Sequence, residues 1–153
     1  MRMRIEQGGL EREDVIALVT LHVTEARGMA PPGSAHAFDI SSLRRPDLTF
    51  WTLRIDDALA GCAALMELSP GHGELKSMRT AAGFARRGVA RRLLEHIIAV
   101  ARERGYQRIS LDTGSEEFYR PARELYLSAG FRECGPFADY REDPYKVFMT
   151  LEL

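Results

Sequence analysis

The 153-residue sequence predicts a mixed α/β fold, and three segments carry that prediction. Residues 74–113 are typical of a strand, a basic loop, a long helix and a further strand. Such a βαβ unit makes its two strands parallel neighbours. Residues 49–68 hold two apolar runs on either side of Asp56-Asp57, as in an antiparallel hairpin, and residues 11–27 repeat apolar residues at helical spacing. A sheet of parallel and antiparallel strands, covered by helices, accommodates all three.

The N-terminal half is predicted to begin with a short strand and a clear amphipathic helix. Acidic residues at the start of 11–27 suit the positive end of a helix, and Gly28 ends it. Pro31-Pro32-Gly33 breaks the chain before a possible second helix. The predicted elements are a strand at Met3–Gln7, helices at 11–27 and 35–43, and strands at 49–55, 59–68 and 74–80.

The C-terminal half is dominated by the helix after the basic loop. Val89, Leu93, Ile97 and Ala101 form one apolar row, and Gly105 lies just past the last turn. Pro121 suits the first turn of a further helix, because proline lacks only an N–H that is unpaired there. The predicted elements that follow are a strand at 108–113, a helix from 121 to about 129, and strands at 131–134 and 145–153.

Composition bounds the class of protein. Hydrophobic residues make up 45% and charged residues 28%, as in an ordinary globular protein, so one domain over 1–153 is expected. A net charge of −1 argues against a nucleic-acid partner, and no apolar run approaches the roughly 20 residues that span a bilayer. The N-terminus has no signal-peptide pattern, and the two cysteines lack metal-ligand spacing. We expect a cytoplasmic protein without a metal or a membrane partner.

The basic loop predicts a site for a phosphate-bearing ligand. A helix start exposes unpaired backbone N–H groups, and the helix dipole makes that end positive. Gly88, with no side chain, lets an anion approach those groups. The alternative is an ordinary turn glycine beside a solvated face. The arginines around the loop are Arg86, Arg87, Arg91 and Arg92.

Two motifs and the element order resemble the GCN5-related N-acetyltransferase (GNAT) family, which transfers an acetyl group from acetyl-CoA to an amine. The family's acyl-CoA loop, Gln/Arg-x-x-Gly-x-Gly/Ala, is similar to Ala85-Arg-Arg-Gly-Val-Ala90. The family's Tyr-x-x-x-Gly-Phe matches Tyr126-Leu-Ser-Ala-Gly130-Phe131. Ala85 departs from the pattern and removes one expected side chain from the pyrophosphate site.

The resemblance implies the GNAT fold: a mixed, mostly antiparallel sheet of six to seven strands, flanked by about four helices, with strands 4 and 5 parallel and splayed. The pantetheine arm of acetyl-CoA would lie in the splay along strand 4, and its pyrophosphate would lie on the N–H groups of 86–91. The implied cofactor-binding residues are Met78, Arg79, Thr80, Arg86, Arg87, Gly88, Val89, Ala90 and Arg91.

The same resemblance suggests two catalytic residues. Tyr126 is the candidate acid for the departing CoA sulfur, and Glu74 is the candidate base for the amine proton. A core tyrosine and a solvated strand-end glutamate are the alternatives, and Glu67 and Asp112 are alternative bases. The backbone N–H of Met78 is expected to polarise the thioester carbonyl. The chemistry implies no metal and no covalent enzyme intermediate.

The acceptor pocket is expected near 22–40, 67–73 and 135–145. Glu25, His36, Asp39 and Glu67 are candidate acceptor-binding residues, although turn, cap and surface roles fit them as well. The function predicted is N-acetyl transfer to a small-molecule or amino-acid-like amine in one ternary complex. The alternative is a non-catalytic acyl-CoA sensor, which the Ala85 departure favours. The final strands are candidates for a homodimer contact.

Overall fold

A computed structural model describes residues 2–153, which form seven strands and three α-helices. Short 3₁₀ turns lie at Ser42–Arg44 and Glu117–Tyr119. In chain order the elements are β1 (Met3–Gln7), α1 (Glu13–Gly28), β2 (Leu48–Ile55), β3 (Ala58–Ser69), β4 (His72–Thr80), α2 (Val89–Glu103), β5 (Arg108–Gly114), α3 (Arg120–Ser128), β6 (Arg132–Cys134) and β7 (Lys146–Glu152).

The strands form one mixed sheet in the order β1-β2-β3-β4-β5-β7-β6. Only β4 and β5 are parallel, as the βαβ pattern predicts. These two strands pair over His72–Glu74 and Arg108–Ser110 alone, and beyond Glu74 and Ser110 they separate. The predicted splay of strands 4 and 5 is therefore confirmed, and it opens the sheet at its centre.

A β-bulge in β4 lies just past the last β4–β5 pair. Cys62 of β3 faces Arg79, but Ala64 faces Lys76, so β4 holds one more residue than β3 at this point. Ser77 lies inside this stretch with a φ of 56°, in the left-handed region. A bulge bends its strand and redirects the neighbouring backbone groups, so β4 turns away from β5 here.

Each face of the sheet carries its own hydrophobic core. On one face α1 packs Val15 and Val19 against Phe50 of β2. On the other face α2 packs Leu93 and Ile97 against the sheet. Helix α3 joins this second core, which therefore supports both helices that flank the splay.

The start of α2 lies unusually close to the sheet. A Cβ atom at Gly61 of β3 would stand 2.7 Å from Cγ1 of Val89, the first residue of α2, and 2.9 Å from the carbonyl oxygen of Arg79. Such distances are too short for real Cβ atoms, so this position requires glycine. From sequence Gly61 resembles a weak point in its strand, whereas in the fold it lets the helix start approach β4.

The predicted helix over 35–43 is wrong. Residues 35–39 have no regular secondary structure and 40–44 form a turn that ends in the 3₁₀ segment, so the described residues contain three α-helices where about four were expected. Its long-range contacts explain the difference: the His36 ring stacks on Tyr140, and Phe38 packs under Lys76. Lys76 and Tyr140 are hydrogen-bonded to each other, so two residues that are two positions apart meet the same cluster, whereas in a helix such residues point to different sides.

All seven predicted strands are present; β2 to β5 are slightly longer than predicted, and β6 and β7 are slightly shorter. β3 continues to Ser69 and β4 begins at His72, so the predicted loop over 69–73 shrinks to a tight turn. Within residues 2–153 no helix combines the length and apolarity that crossing a membrane requires.

Candidate active site

The splay between β4 and β5 forms a slot made of two connected pockets. The first pocket lies beside the start of α2 and is bordered by Thr80, Ala85 and Arg86. The second pocket lies beside β5 and β7 and is bordered by Lys76 and Asp112. The residues that border both pockets are His22, Met78, Tyr119, Ala122 and Tyr126. A ligand extended along β4 can therefore reach from the helix start to the middle of the sheet.

The α2 start presents unpaired backbone donors. Gly88 has a φ of 78° and precedes the helix, and the N–H of Arg92 is the first to bond within it, to the Gly88 carbonyl at 3.0 Å. The N–H groups of Val89, Ala90 and Arg91 therefore precede the first helical hydrogen bond. A Cβ at Gly88 would have no atom within 4 Å, so the space beside Gly88 is open. This geometry suits a phosphate.

The arginines predicted at the anion site do not all face it. Arg86 borders the first pocket and is the best placed. Arg91 donates to Ser128 Oγ of α3 at 2.8 Å, and the Arg87 guanidinium lies 5.4 Å from the Phe84 ring. Arg79 forms an ion pair with Glu25 at the edge of the first pocket. The positive character of the pocket comes from the helix start and Arg86 more than from the whole cluster.

Tyr126 lies at the junction of the two pockets. It sits on α3, is 5% exposed, and its ring packs against Phe131 with centroids 5.8 Å apart. Among residues 2–153 its hydroxyl has no hydrogen-bond partner. Burial, followed by the nearby charge of Asp112, raises the pKa of Tyr126, so the hydroxyl keeps its proton near neutral pH. A buried, protonated hydroxyl facing a slot can donate a proton or a hydrogen bond there.

Glu74 lies behind the second pocket rather than on its wall. Its side chain is fully buried, and Oε2 accepts hydrogen bonds from the Tyr140 hydroxyl at 2.6 Å and from Lys76 Nζ at 3.1 Å. Oε1 is buried and makes no hydrogen bond within the described part of the chain. Burial raises the pKa of Glu74, and the charge of Lys76 opposes that effect only in part. Lys76 does border the second pocket and so connects Glu74 to it.

Asp112 and His36 form a second polar cluster on the wall of the second pocket. His36 Nδ1 lies 2.9 Å from Asp112 Oδ2, and Lys146 Nζ lies 3.3 Å from the same oxygen. Burial of Asp112 disfavours its charge, but the His36 hydrogen bond and the charges of Lys146 and Lys76 outweigh burial, and the net effect lowers the pKa of Asp112. The carboxylate is therefore ionised at neutral pH.

The other acidic candidates lie away from the second pocket. Asp39 caps a turn by accepting a hydrogen bond from the Ser42 N–H at 2.9 Å. Glu67 accepts a hydrogen bond from the Tyr106 hydroxyl at 2.8 Å and borders neither pocket. Glu25 faces the first pocket through its ion pair with Arg79. Of the four candidate acceptor residues, the structure brings only His36 into the second pocket.

Sequence reasoning missed several residues that border the slot. His22 has the spacing of a packing residue on α1, yet it borders both pockets. Burial, and then the charge of Arg79, lower its pKa to about 4, so its imidazole is neutral near pH 7. No sequence motif includes Lys76, Tyr119 or Lys146. Only the two lysines had a feature that could have marked them in the sequence, because lysine is rare in this chain.

No cation site is evident in the described chain. Residues 2–153 contain no group of three or more histidine, cysteine, aspartate or glutamate side chains arranged to hold a metal ion.

Comparisons with known proteins point to one family. The sequence pattern of the acetyltransferase (GNAT) family matches residues 15–131. The chain is 51% identical over 151 residues to the uncharacterized N-acetyltransferase YsnE of Bacillus subtilis (strain 168), covering 99% of this chain and 100% of that protein. It is 46% identical over 149 residues to the uncharacterized N-acetyltransferase YedL of Escherichia coli (strain K12), covering 97% and 94% respectively.

Solved structures share the fold. A GNAT family acetyltransferase from Elizabethkingia anophelis, with acetyl-CoA bound, superposes with a TM-score of 0.72 at 18% identity, covering 99% of this chain and 98% of that one. At this identity the likeness concerns the fold alone.

Proposed function

Because the chain belongs to the GNAT family of acetyltransferases and is an acyltransferase, we propose that it moves an acetyl group from acetyl-CoA to the amine of a small-molecule or amino-acid-like acceptor. The observation that carries the proposal is the continuity of the slot. It begins beside Arg86 and Ala90 at the α2 start and ends at Tyr126, Lys76 and Asp112. Both substrates can therefore meet in one ternary complex.

Acetyl-CoA fits the first pocket by its chemistry. The pyrophosphate binds the N–H groups of 86–91, with Arg86 as the nearest added charge, and the pantetheine arm follows Met78 to Thr80 along β4. The acetyl-CoA found in the Elizabethkingia protein supports this choice of cosubstrate. Ala85 borders the pocket without a polar group, so binding relies on the backbone.

Acetyl transfer needs few protein groups once the two substrates are positioned. The neutral amine attacks the thioester carbon, a C–N bond forms and the C–S bond breaks. The CoA thiolate takes a proton from Tyr126, while the backbone N–H of Met78 stabilises the carbonyl oxygen. Glu74 receives the amine proton through the polar groups that separate it from the second pocket. Its raised pKa suits a base better than the lowered pKa of Asp112.

Calorimetry with acetyl-CoA, followed by a thiol-release assay against a panel of amines, tests the proposed function. We expect acetyl-CoA to bind with micromolar affinity and at least one amine to release CoA together with an N-acetyl product seen by mass spectrometry. Failure to bind at millimolar acetyl-CoA contradicts the proposal.

A non-catalytic acyl-CoA sensor is the second candidate function. The observation that favours it is Ala85, which leaves the first pocket without the Gln or Arg side chain usual at that position. Binding of acetyl-CoA without thiol release for any amine would support the sensor over the enzyme.

Replacing Gly88 with alanine is expected to weaken acetyl-CoA binding by roughly 10- to 100-fold, the equivalent of losing hydrogen bonds to a charged group. The new methyl group enters the open space beside Gly88, and a pyrophosphate bound at the α2 start would have to move away from it. The left-handed φ of 78° adds about 1–2 kcal/mol of strain to the folded state. Calorimetry measures the first effect and thermal unfolding measures the second.

Gly105→Ala is the matched control for this variant. Gly105 lies just past the other end of α2, has a φ of 76°, and likewise leaves open space for a Cβ. It should lose similar stability and keep its acetyl-CoA affinity. If both variants lose affinity equally, the effect is structural and the α2 start is not the anion site.

A further inference from the structure

The use of lysine in this chain is unusual and spatially concentrated. The sequence has 21 basic residues, of which 19 are arginine and two are lysine. Both lysines, Lys76 and Lys146, border the second pocket, although 70 positions separate them along the chain. An arginine carries a wide planar fork, whereas a lysine carries a compact point charge with three donors. The second pocket is therefore the one place in the described structure that uses the smaller cation.

The two lysines differ in how their donors are used. Lys76 Nζ has three acceptors within reach: Glu74 Oε2 at 3.1 Å, the Tyr140 hydroxyl at 3.0 Å and the His36 carbonyl at 3.3 Å. All three N–H donors of Lys76 are therefore used, and Lys76 holds Glu74, Tyr140 and the His36 backbone together. Lys146 is 11% exposed, and Asp112 is its one ion-pair partner within residues 2–153. An ammonium group has three N–H donors, so Lys146 keeps donors for a ligand.

Asp112 keeps one carboxylate oxygen that can accept a hydrogen bond from a ligand. Its Oδ2 contacts both His36 and Lys146, while Oδ1 accepts no hydrogen bond from residues 2–153. The Asp112 side chain is 7% exposed and borders the second pocket. Asp112 and Lys146 thus present a negative and a positive group 3.3 Å apart at the end of the slot.

Charge balance favours a ligand that carries both signs. Glu74, Lys76, Asp112 and Lys146 already pair two carboxyl groups with two ammonium groups. A purely cationic or anionic acceptor would leave an uncompensated charge in this buried site, which is costly. A zwitterion adds no net charge and meets both partners.

We propose that the acceptor is an amino acid, with its carboxylate bound by Lys146 and its amino group directed to Asp112. This inference rests on the proposed acetyl transfer and names the acceptor class of the same site. The amino group, held at Asp112, lies in the pocket that Met78 and Tyr126 also border. Lys146 is a specificity residue, because it contacts the part of the acceptor that does not react.

Calorimetry on the CoA-loaded protein tests the acceptor class. The probes are the twenty standard amino acids, followed by the decarboxylated amine and the deaminated acid of each one that binds. At least one amino acid should bind about 10- to 100-fold more tightly than either derivative, since each derivative loses one charged contact. In Lys146→Met the advantage of the amino acid over its amine should disappear.

Arg132→Met is the matched control, because Arg132 lies on β6 beside β7 and pairs with Glu152 at the surface. Arg132→Met should still bind the amino acid more tightly than its amine, and Lys146→Arg should retain part of that difference in affinity. CoA affinity and the unfolding temperature of each variant report whether it is folded. The inference is overturned if no amino acid binds at millimolar concentration, if amines bind as tightly as their amino acids, or if Lys146→Met leaves the ratio unchanged. If the protein acetylates simple amines as well as amino acids, the proposed acetyl transfer stands and only the amino-acid acceptor is overturned.

Discussion

Replacing Tyr126 with phenylalanine is expected to lower kcat by roughly 10²- to 10⁴-fold, the usual contribution of a general acid. Acetyl-CoA affinity should change little, because the proposed anion site at Gly88 lies at the start of a different helix. The ring itself is part of the core, and phenylalanine preserves its packing against Phe131. The hydroxyl has no hydrogen-bond partner within residues 2–153, so its removal leaves no buried group unpaired. Steady-state thiol release, with calorimetry for acetyl-CoA, separates the two effects.

Tyr106→Phe provides the matched control for the Tyr126 variant. Tyr106 is also 5% exposed, but its hydroxyl donates to Glu67 and it borders neither pocket. Loss of that hydrogen bond should cost about 1 kcal/mol of stability and leave kcat unchanged. Unchanged turnover in Tyr126→Phe would assign Tyr126 to the core alone. Equal losses in both variants would indicate a general effect of removing a buried hydroxyl.

Local patterns predicted the frame of the molecule and indicated one end of the candidate slot. The strand, helix and strand over 74–113 fixed the one parallel pair of the sheet, because a crossover helix permits no other common arrangement. The proposed anion site depends on a helix start and on Gly88, which directly precedes it. Such features can be predicted from the sequence because residues close together in the chain determine their geometry.

The second pocket was not predictable in the same way. Its contacts join residues that are distant along the chain: 76 positions separate His36 from Asp112, and 66 separate Tyr140 from Glu74. The contacts of His36 and Phe38 with Asp112, Tyr140 and Lys76 outweigh the local helical tendency of 35–43. A single sequence carries no record of which distant side chains meet. The acidic residues proposed for the acceptor were chosen by proximity in sequence, and Asp39 and Glu67 instead serve a turn and a tyrosine.

Replacing Glu74 with glutamine is expected to lower kcat by roughly 10²- to 10⁴-fold and to remove the acidic limb of its pH profile. Glutamine has nearly the same shape, and its carbonyl oxygen can still accept hydrogen bonds from Lys76 and Tyr140. What it lacks is the ability to take a proton. Measuring kcat at saturating acceptor reports groups in the ternary complex rather than the ionisation of the free amine. Glu67→Gln should behave like the unmodified protein.

The pH at which kcat rises on the acidic side of the profile shows whether Glu74 or Asp112 is the base. A base acts in its ionised form, so kcat rises as pH passes the pKa of that group. Burial places the pKa of Glu74 above its ordinary 4.5, with Lys76, Tyr140 and Asp112 as the other groups that act on it. The pKa of Asp112 lies below its ordinary 3.8, so an Asp112 base would stay ionised through the whole accessible range and give no limb.

Asp112→Asn completes the comparison. If Glu74 is the base, this variant should keep the limb, and its losses should fall on KM for the acceptor, because Asp112 binds rather than deprotonates. Were the limb to persist in Glu74→Gln and vanish in Asp112→Asn, the roles would be reversed. Each carboxyl group has two polar neighbours on one oxygen, His36 and Lys146 for Asp112 and Lys76 and Tyr140 for Glu74. The first outcome is favoured because burial outweighs these neighbours at Glu74 and raises its pKa, whereas the neighbours outweigh burial at Asp112 and lower its pKa. A carboxylate whose neighbours stabilise its charge is a poor proton acceptor, and one that burial has made more basic is a better one.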